Sequence, residues 1–220
     1  IDQVGEGIDE AWLGRNVCAL LRGGGIADYV VCSPSVVVSA PSGIELSLAA
    51  GLCETWCAAL FNLWDHAKLI PKEGVLIHAG ASGVGVAAIQ LARLLGATPF
   101  VTCGTEKKLQ YCMDRGAEAR VLRTQDWAAY FCGLGLQFDV ILDPVGAGYL
   151  NKDLSVAANM ARIAVIGLLG GIQTECNLVE FLSKNITMFG RTLRTQPDTV
   201  KRRLLAELET IIWPAIARNK

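Results

Sequence analysis

From about position 44 onward, short apolar runs alternate with longer segments whose apolar residues recur every three or four positions. The runs at 75–79, 99–102, 121–122, 140–143, 163–166 and 186–189 predict six strands. Helical periodicity covers 48–68, 83–95, 107–115, 126–132 and 149–159, and Val200, Leu204, Leu208 and Ile211 mark a last helix opened by Pro197. Ser47 is a candidate N-cap for the first of these helices, and Gly96 and Gly116 stand where two others should stop. Strands separated by helices of this length need crossover connections, which implies a mostly parallel, doubly wound α/β sheet of the Rossmann type. The first forty or so residues read differently. Apolar runs at 17–21, 27–32 and 36–38, with the turn Arg22-Gly23-Gly24-Gly25, predict small antiparallel strands. Pro41-Ser42-Gly43 then marks a boundary, giving an expected division into residues 1–43 and 44–220.

Composition agrees with that picture. The chain is 52% hydrophobic with a mean hydropathy of +0.37, as suits a sheet buried on both faces. The apolar runs are broken by Gly, Pro or charge, and none is read as a membrane span. With 20 basic and 21 acidic residues, the net charge of −1 gives no electrostatic case for nucleic acid or an anionic membrane. The eight cysteines include no C-x-x-C pair. No secretory signal is recognised, so reduced thiols and a cytoplasmic location are expected. Cys53 and Cys57 could share a helix face. Only His66 and His78 could add imidazole, so the about four ligands of a structural zinc site are not in prospect and no metal is expected.

The chemistry concentrates in Gly80-Ala81-Ser82-Gly83-Val84-Gly85, between a strand and a helix. Gly80 is expected to make the tight turn and Gly85 to let the helix pack closely on the strand. The N–H groups of the helix start, around Gly83 and Val84, would face a pyrophosphate. Ser82 stands where a second glycine is usual and offers a hydroxyl. At the end of the second strand, Gly104 and Thr105 replace the acid that holds an NAD 2′-hydroxyl, and Lys107 and Lys108 follow. This favours NADP over NAD, since a lysine neutralises a 2′-phosphate that a carboxylate would repel. Two further turns, Asp143-Pro144-Val145-Gly146 and Gly167-Leu168-Leu169-Gly170-Gly171, end strands where open sheets bind ligands. Each is either a sharp loop without ligand contact or a place where backbone approaches a ribose or nicotinamide.

The segment from Val75 through the glycine loop to Ala92 resembles the zinc-independent quinone oxidoreductases of the medium-chain dehydrogenase/reductase superfamily, in the branch of the p53-inducible quinone oxidoreductases. Supporting stretches are Leu21-Arg22-Gly23-Gly24-Gly25, Cys53-Glu54-Thr55-Trp56, Val101-Thr102-Cys103-Gly104-Thr105, Ile141-Leu142-Asp143-Pro144-Val145-Gly146 and Thr192-Leu193-Arg194. The resemblance implies that residues 1–43 are part of a GroES-like catalytic domain and that NADPH reduces quinones. It implies that Gly83, Val84, Gly104, Thr105 and Lys108 touch NADP, with Lys108 at the 2′-phosphate. Arg123 takes a tyrosine's place, to stack on adenine or pair with phosphate. The nicotinamide end is expected near Glu54, Trp56 and Leu168, Leu169 and Gly170. The resemblance further implies homodimers formed through the sixth strand, and family members longer at both ends, so that an incomplete chain is expected. The expected function is hydride transfer from NADPH to quinones. The alternatives are an enoyl or alkenal reductase of the same superfamily, or a catalytically inactive NADP-binding protein. No proton-donating residue is singled out.

Overall fold

The computed structural model describes residues 1–218, and the last two positions of the expected 44–220 domain lie outside them. The chain forms two compact units, Ile1–Cys57 with Leu193–Lys220, and Ala58–Thr192. In the first unit, β1 (Val17–Ala19) pairs antiparallel with β2 (Val37–Ser39). The apolar run at 27–32 forms no strand, because it finds no ladder partner, and Val31 is fully exposed. Two short helices follow, α1 (Leu46–Ala49) and α2 (Leu52–Ala59), continued by a wider π-type turn over Leu60–His66. Ser47 does not cap α1. The preceding Glu45 holds that position, and the Ser47 hydroxyl instead donates to the Glu45 carboxylate at 2.7 Å. The stretch Leu46–His66 is, at 21 residues and hydropathy 1.3, long and apolar enough by length and composition to cross a membrane, longer than the sequence reading allowed. Half of it is buried inside the protein, and a core helix passes the same test.

The second unit holds a six-stranded, all-parallel sheet in the order β5-β4-β3-β6-β7-β8. Its strands are β3 (Gly74–His78), β4 (Thr98–Cys103), β5 (Ala119–Leu122), β6 (Phe138–Asp143), β7 (Ala157–Val165) and β8 (Thr187–Gly190). The helices between them are α3 (Gly83–Leu94), α4 (Glu106–Met113), α5 (Trp127–Gly133), α6 (Leu150–Val156) and α7 (Leu178–Ser183). The chain moves outward from β3 to β5, then returns to lay β6 against the free side of β3. The strand order therefore reverses between β3 and β6, which opens a crevice at their carboxyl ends.

Local chemistry explains the helix limits. The Ser82 hydroxyl oxygen accepts from the Gly85 N–H and starts α3. Gly96, at φ +77°, ends it, with its own N–H on the Arg93 carbonyl and that of Ala97 on the Ala92 carbonyl. Gly116 ends α4 in the same way. The helix expected over 149–159 stops earlier, because Val156 and Ala157 are fully buried and Ala157 pairs with Phe138 in the sheet. On one face of the sheet, Trp127, Phe131, Phe138, Ile141, Leu154 and Ile163 form a continuous core.

The C-terminal helices α8 (Asp198–Glu207) and α9 (Trp213–Ala217), joined by a π-type turn, belong to the first unit. The Trp213 indole N–H donates to the Ser39 carbonyl at 2.9 Å, and the Ser39 N–H donates to Glu209. Pro197 precedes α8 as its N-cap.

Phe131 packs edge-on to Phe138, 5.0 Å between ring centres, and is fully buried. Phe131→Ala is expected to cost about 3–5 kcal/mol of unfolding free energy, read from the midpoint shift in urea denaturation.

Candidate functional site

The glycine loop sits where β3 gives way to α3. Ala79, at φ +53°, makes the sharp turn itself. A non-glycine residue held there stores strain. Gly80 is required by packing rather than by its dihedral: a Cβ there would lie 2.7 Å from Val101 Cγ1 and 3.2 Å from Cys112 Sγ. Its N–H donates to the Thr102 carbonyl at 3.1 Å, tying the loop to β4. A Cβ on Gly85 would stand 2.6 Å from the carbonyl oxygens of both Ala79 and Gly80, so only glycine lets α3 approach the strand this closely. Ser82 and Gly83 are exposed at the open helix end. The Ser82 oxygen is occupied as a cap, which leaves its hydroxyl proton to donate. Gly83 and Val84 occupy the first two helical positions, whose N–H groups have no intrahelical carbonyl to meet. They make an anion-attracting end, reinforced by the helix dipole.

Gly104, Thr105, Lys108 and Arg123 come together at the end of β4. Thr105 caps α4 by accepting from the Lys108 N–H at 3.3 Å. The Lys107 and Lys108 side chains are exposed, as is that of Glu106. The Arg123 guanidinium lies over Gly104, 3.3 Å from where a Cβ would be, and the Arg123 N–H donates to the Cys103 carbonyl at 2.7 Å. Beneath them, the buried Cys103 and Cys112 sulfurs stand 3.6 Å apart. The hydrogen bond with Cys112 lowers the Cys103 thiol to about 7, helped by the N–H groups of Ala81 and Gly80 and by the charge of Lys108, against the effect of burial.

The two remaining turns interlock. Leu169 and Gly170 donate their N–H groups to the carbonyls of Pro144 and Val145, and Ala147 donates to that of Gly171. A Cβ on Gly167 would strike the Pro144 carbonyl oxygen at 2.7 Å, and one on Gly170 would strike Val145 Cγ1 at 2.6 Å. Gly146, at φ +76°, would meet Leu168 Cδ2 at 2.9 Å. Leu168 and Leu169 themselves face outward, 55% and 82% exposed, so they offer apolar surface to something outside the core. Glu54 and Trp56 lie in the first unit.

The sequence reading missed a buried polar network under this rim. His78 Nδ1 meets the Thr102 hydroxyl and Nε2 meets Asp153 Oδ1, each at 2.8 Å. Asp143 is fully buried and accepts from the N–H groups of Val145 at 2.6 Å and Gly146 at 2.9 Å. Burial foremost, and then the charge of Asp153, pushes the Asp143 carboxyl up to about 6, while Val145, His78 and Gly146 pull it down. Burial also raises Asp153, against the pull of His78. Tyr149 and Trp127 pack their rings on His78 at 4.8 and 4.7 Å. The available signal was Asp153, an acid on the inward face of a helix beside Leu154 and Val156.

The geometry is that of a dinucleotide crevice, and the comparisons agree with it. The family described as zinc-binding dehydrogenase matches residues 83–210, more than half of the chain. The chain belongs to that family. It is 30% identical over 227 residues to highly-reducing polyketide synthase 1 of Aureobasidium melanogenum, a match covering 96% of this chain and 10% of that protein. Among solved structures, the CurK enoyl reductase superposes with a TM-score of 0.82 at 28% identity, over 100% of this chain and 66% of that one. The Escherichia coli quinone oxidoreductase complexed with NADPH superposes at 0.84, with 24% identity, over 99% of this chain and 68% of that one. The chain spans only 6 to 10% of the length of the curated relatives it matches. The p53-inducible branch finds no particular support among these relatives.

The family's description raises zinc. Among the described residues, no group of three or more His, Cys, Asp or Glu could hold a metal ion. Cys53 and Cys57 are buried, and their thiols are pushed up: Cys53 by its hydrogen bond with Cys18 and by burial, Cys57 by burial foremost. That donor set does not fit zinc.

Gly85→Ala is expected to force α3 away from the loop and destabilise the protein by about 1–3 kcal/mol, measured by urea denaturation. An unchanged midpoint would contradict the close approach described here.

Proposed function

We propose that this chain is the cofactor-binding part of an NADPH-dependent reductase acting on activated carbon–carbon double bonds, of the enoyl thioester kind. The observation that carries the reading is the pairing of two features at the reversal point of the sheet. One is an open helix start at Gly83 and Val84. The other is a basic strand end at Gly104, Thr105, Lys108 and Arg123, where glycine and threonine rather than an acid follow the strand directly. When bound, NADPH supplies the hydride. The residues of this chain hold and orient it. Gly80 and Gly85 keep the loop tight enough for the Gly83 and Val84 N–H groups to take the diphosphate, with the Ser82 hydroxyl as a further donor. Gly104 leaves room for the adenosine ribose, Thr105 and Lys108 face the 2′-phosphate, and Arg123 covers the adenine side. Gly146 and the turn of Leu168, Leu169 and Gly170 border the nicotinamide side, where exposed leucines exclude water. The enoyl substrate is favoured by a polyketide synthase relative that matches nearly the whole chain, and by the likeness to the CurK enoyl reductase at 28% identity.

Quinone reduction is the second reading, supported by the fold shared with the E. coli quinone oxidoreductase and by the sequence resemblance. NADPH consumption with a panel of enoyl thioesters and quinones separates the two. Turnover of enoyl thioesters supports the first reading, and turnover of quinones alone replaces it with the second. NADPH binding with turnover of neither points to a binding protein without catalysis. The exposed edge strand β8, which carries the half-exposed Met188, supports pairing of two copies edge to edge, and a dimer mass in size-exclusion chromatography with light scattering is the expected result.

Lys108→Ala is expected to weaken NADPH binding by about tenfold or more and to leave NADH binding unchanged, as measured by fluorescence titration. Equal weakening for both cofactors would remove Lys108 from the 2′-phosphate.

A further inference from the structure

We propose that Asp143 is a positioning residue of the cofactor crevice. Its carboxylate, backed by the buried His78 and Asp153 pair, holds the turn at 144–146 in the conformation that interlocks with the turn at 167–171. The proposal rests on the NADPH reading for its link to binding, and it adds a residue and a device which that reading does not need.

The geometry is specific. Asp143 ends β6, the strand on one side of the reversal point, and is fully buried. Its Oδ1 accepts from Val145 at 2.6 Å and from Gly146 at 3.1 Å, and its Oδ2 accepts from Gly146 at 2.9 Å. Those two N–H groups belong to the residues that must meet the neighbouring turn. The Val145 carbonyl accepts from Gly170 at 2.7 Å, and Gly146 has 2.9 Å to Leu168 where a side chain would begin. The Asp143 carbonyl also accepts from Ile166, which anchors the same residue to β7. Freed from the carboxylate, Val145 and Gly146 would have one part-buried and one buried donor to satisfy and no fixed register against 167–171.

The groups around Asp143 come from every neighbouring element. His78 ends β3, and Thr102 in β4 shares its Nδ1. Asp153 in α6 takes Nε2 through Oδ1, while its Oδ2 is buried without a hydrogen-bond partner. Tyr149 precedes α6, packs on His78, and feels the charges of Arg123, Asp153 and Asp143. Burial foremost, and then the charge of Asp153, makes Asp143 accept a proton at about 6 rather than in the ordinary carboxylate range, against the pull of Val145, His78 and Gly146. Protonation removes the charge that strengthens these bonds and leaves Oδ1 alone to accept from Val145 and Gly146, so the hold on the turn weakens on acidification. An asparagine at the same place carries that change permanently.

The test uses NADH as probe, because it lacks the 2′-phosphate, whose own ionisation near about pH 6 would mask the effect. Wild-type protein is expected to lose about tenfold in NADH affinity between about pH 7.5 and about pH 5. Asp143→Asn is expected to bind as wild type does at the acid end and to stay flat across the range. A variant that keeps wild-type affinity and the wild-type pH profile overturns the proposal. Amide hydrogen exchange on the cofactor-free protein is the second readout. Val145 and Gly146 should lose protection in Asp143→Asn, and in wild type on acidification, relative to Ile77 in β3 after correction for intrinsic rates. Unchanged protection overturns the proposal whatever happens with cofactor. Should the variant not fold, the wild-type exchange profile decides. Should wild type bind neither NADPH nor NADH, the NADPH reading fails by itself, and exchange still judges the role of Asp143.

Discussion

Backbones that approach too closely for a side chain hold this site together. At Gly80, Gly85, Gly167 and Gly170, a Cβ would stand between 2.6 and 2.7 Å from a neighbouring atom. Two of these positions follow β3, and the other two follow β7 and pack against the turn that follows β6. Close packing there does two jobs at once. It fixes the loops without side-chain bulk, and it leaves peptide N–H groups as the chemical surface of the crevice. The rest of the second unit serves that arrangement. The parallel sheet delivers its strand ends to one rim, the Phe131 and Phe138 core stiffens one face, and the alanine-rich inner face of α3 lets the helix lie close over the other.

Below the rim the logic changes from packing to buried polarity. His78, Thr102, Asp143 and Asp153 are all at most 1% exposed, a costly set to bury unless each is bonded. Hydrogen bonds run from the glycine loop, through Gly80 and Thr102, to His78 and Asp153, and charge couples that pair to Asp143, which bonds the turn at 144–146. Buried polar groups thus lie under both walls of the crevice. Keeping carboxyls there works against stability, since burial disfavours their charged forms. That cost is understandable where two turns must hold a single register.

Much of this was legible in the sequence. The six strands, the crossover helices α3 to α6 and the glycine loop follow from periodicity and from the order strand, Gly-Ala-Ser-Gly-Val-Gly, helix, while α7 is not among the predicted helices. The stops at Gly96 and Gly116 follow from residue type, whereas Ser82 and Thr105 read in the sequence as ligand hydroxyls and emerge as caps only with the structure. What escaped was long-range or context-dependent. His78 and Asp153 lie 75 positions apart in the chain, and no local pattern couples them. The 27–32 run has β-forming residues but no partner strand, and Ser47 bonds to Glu45 rather than to its helix. The periodicity of Leu204 and Leu208 announced a helix but not the unit it packs in. It packs against the turn at Pro34–Val36 and against β2, more than 150 residues earlier. Residue type at particular positions carried the NADP preference, through Gly104 and Thr105 directly after β4.

The most direct test of the central claim is the structure of the protein with NADPH bound. The account predicts the diphosphate against the Gly83 and Val84 N–H groups and the 2′-phosphate beside Lys108, with the turns at 144–146 and 167–171 unmoved in their mutual register. A diphosphate bound away from the start of α3, or a crevice filled by side chains from this chain at saturating NADPH, would contradict it.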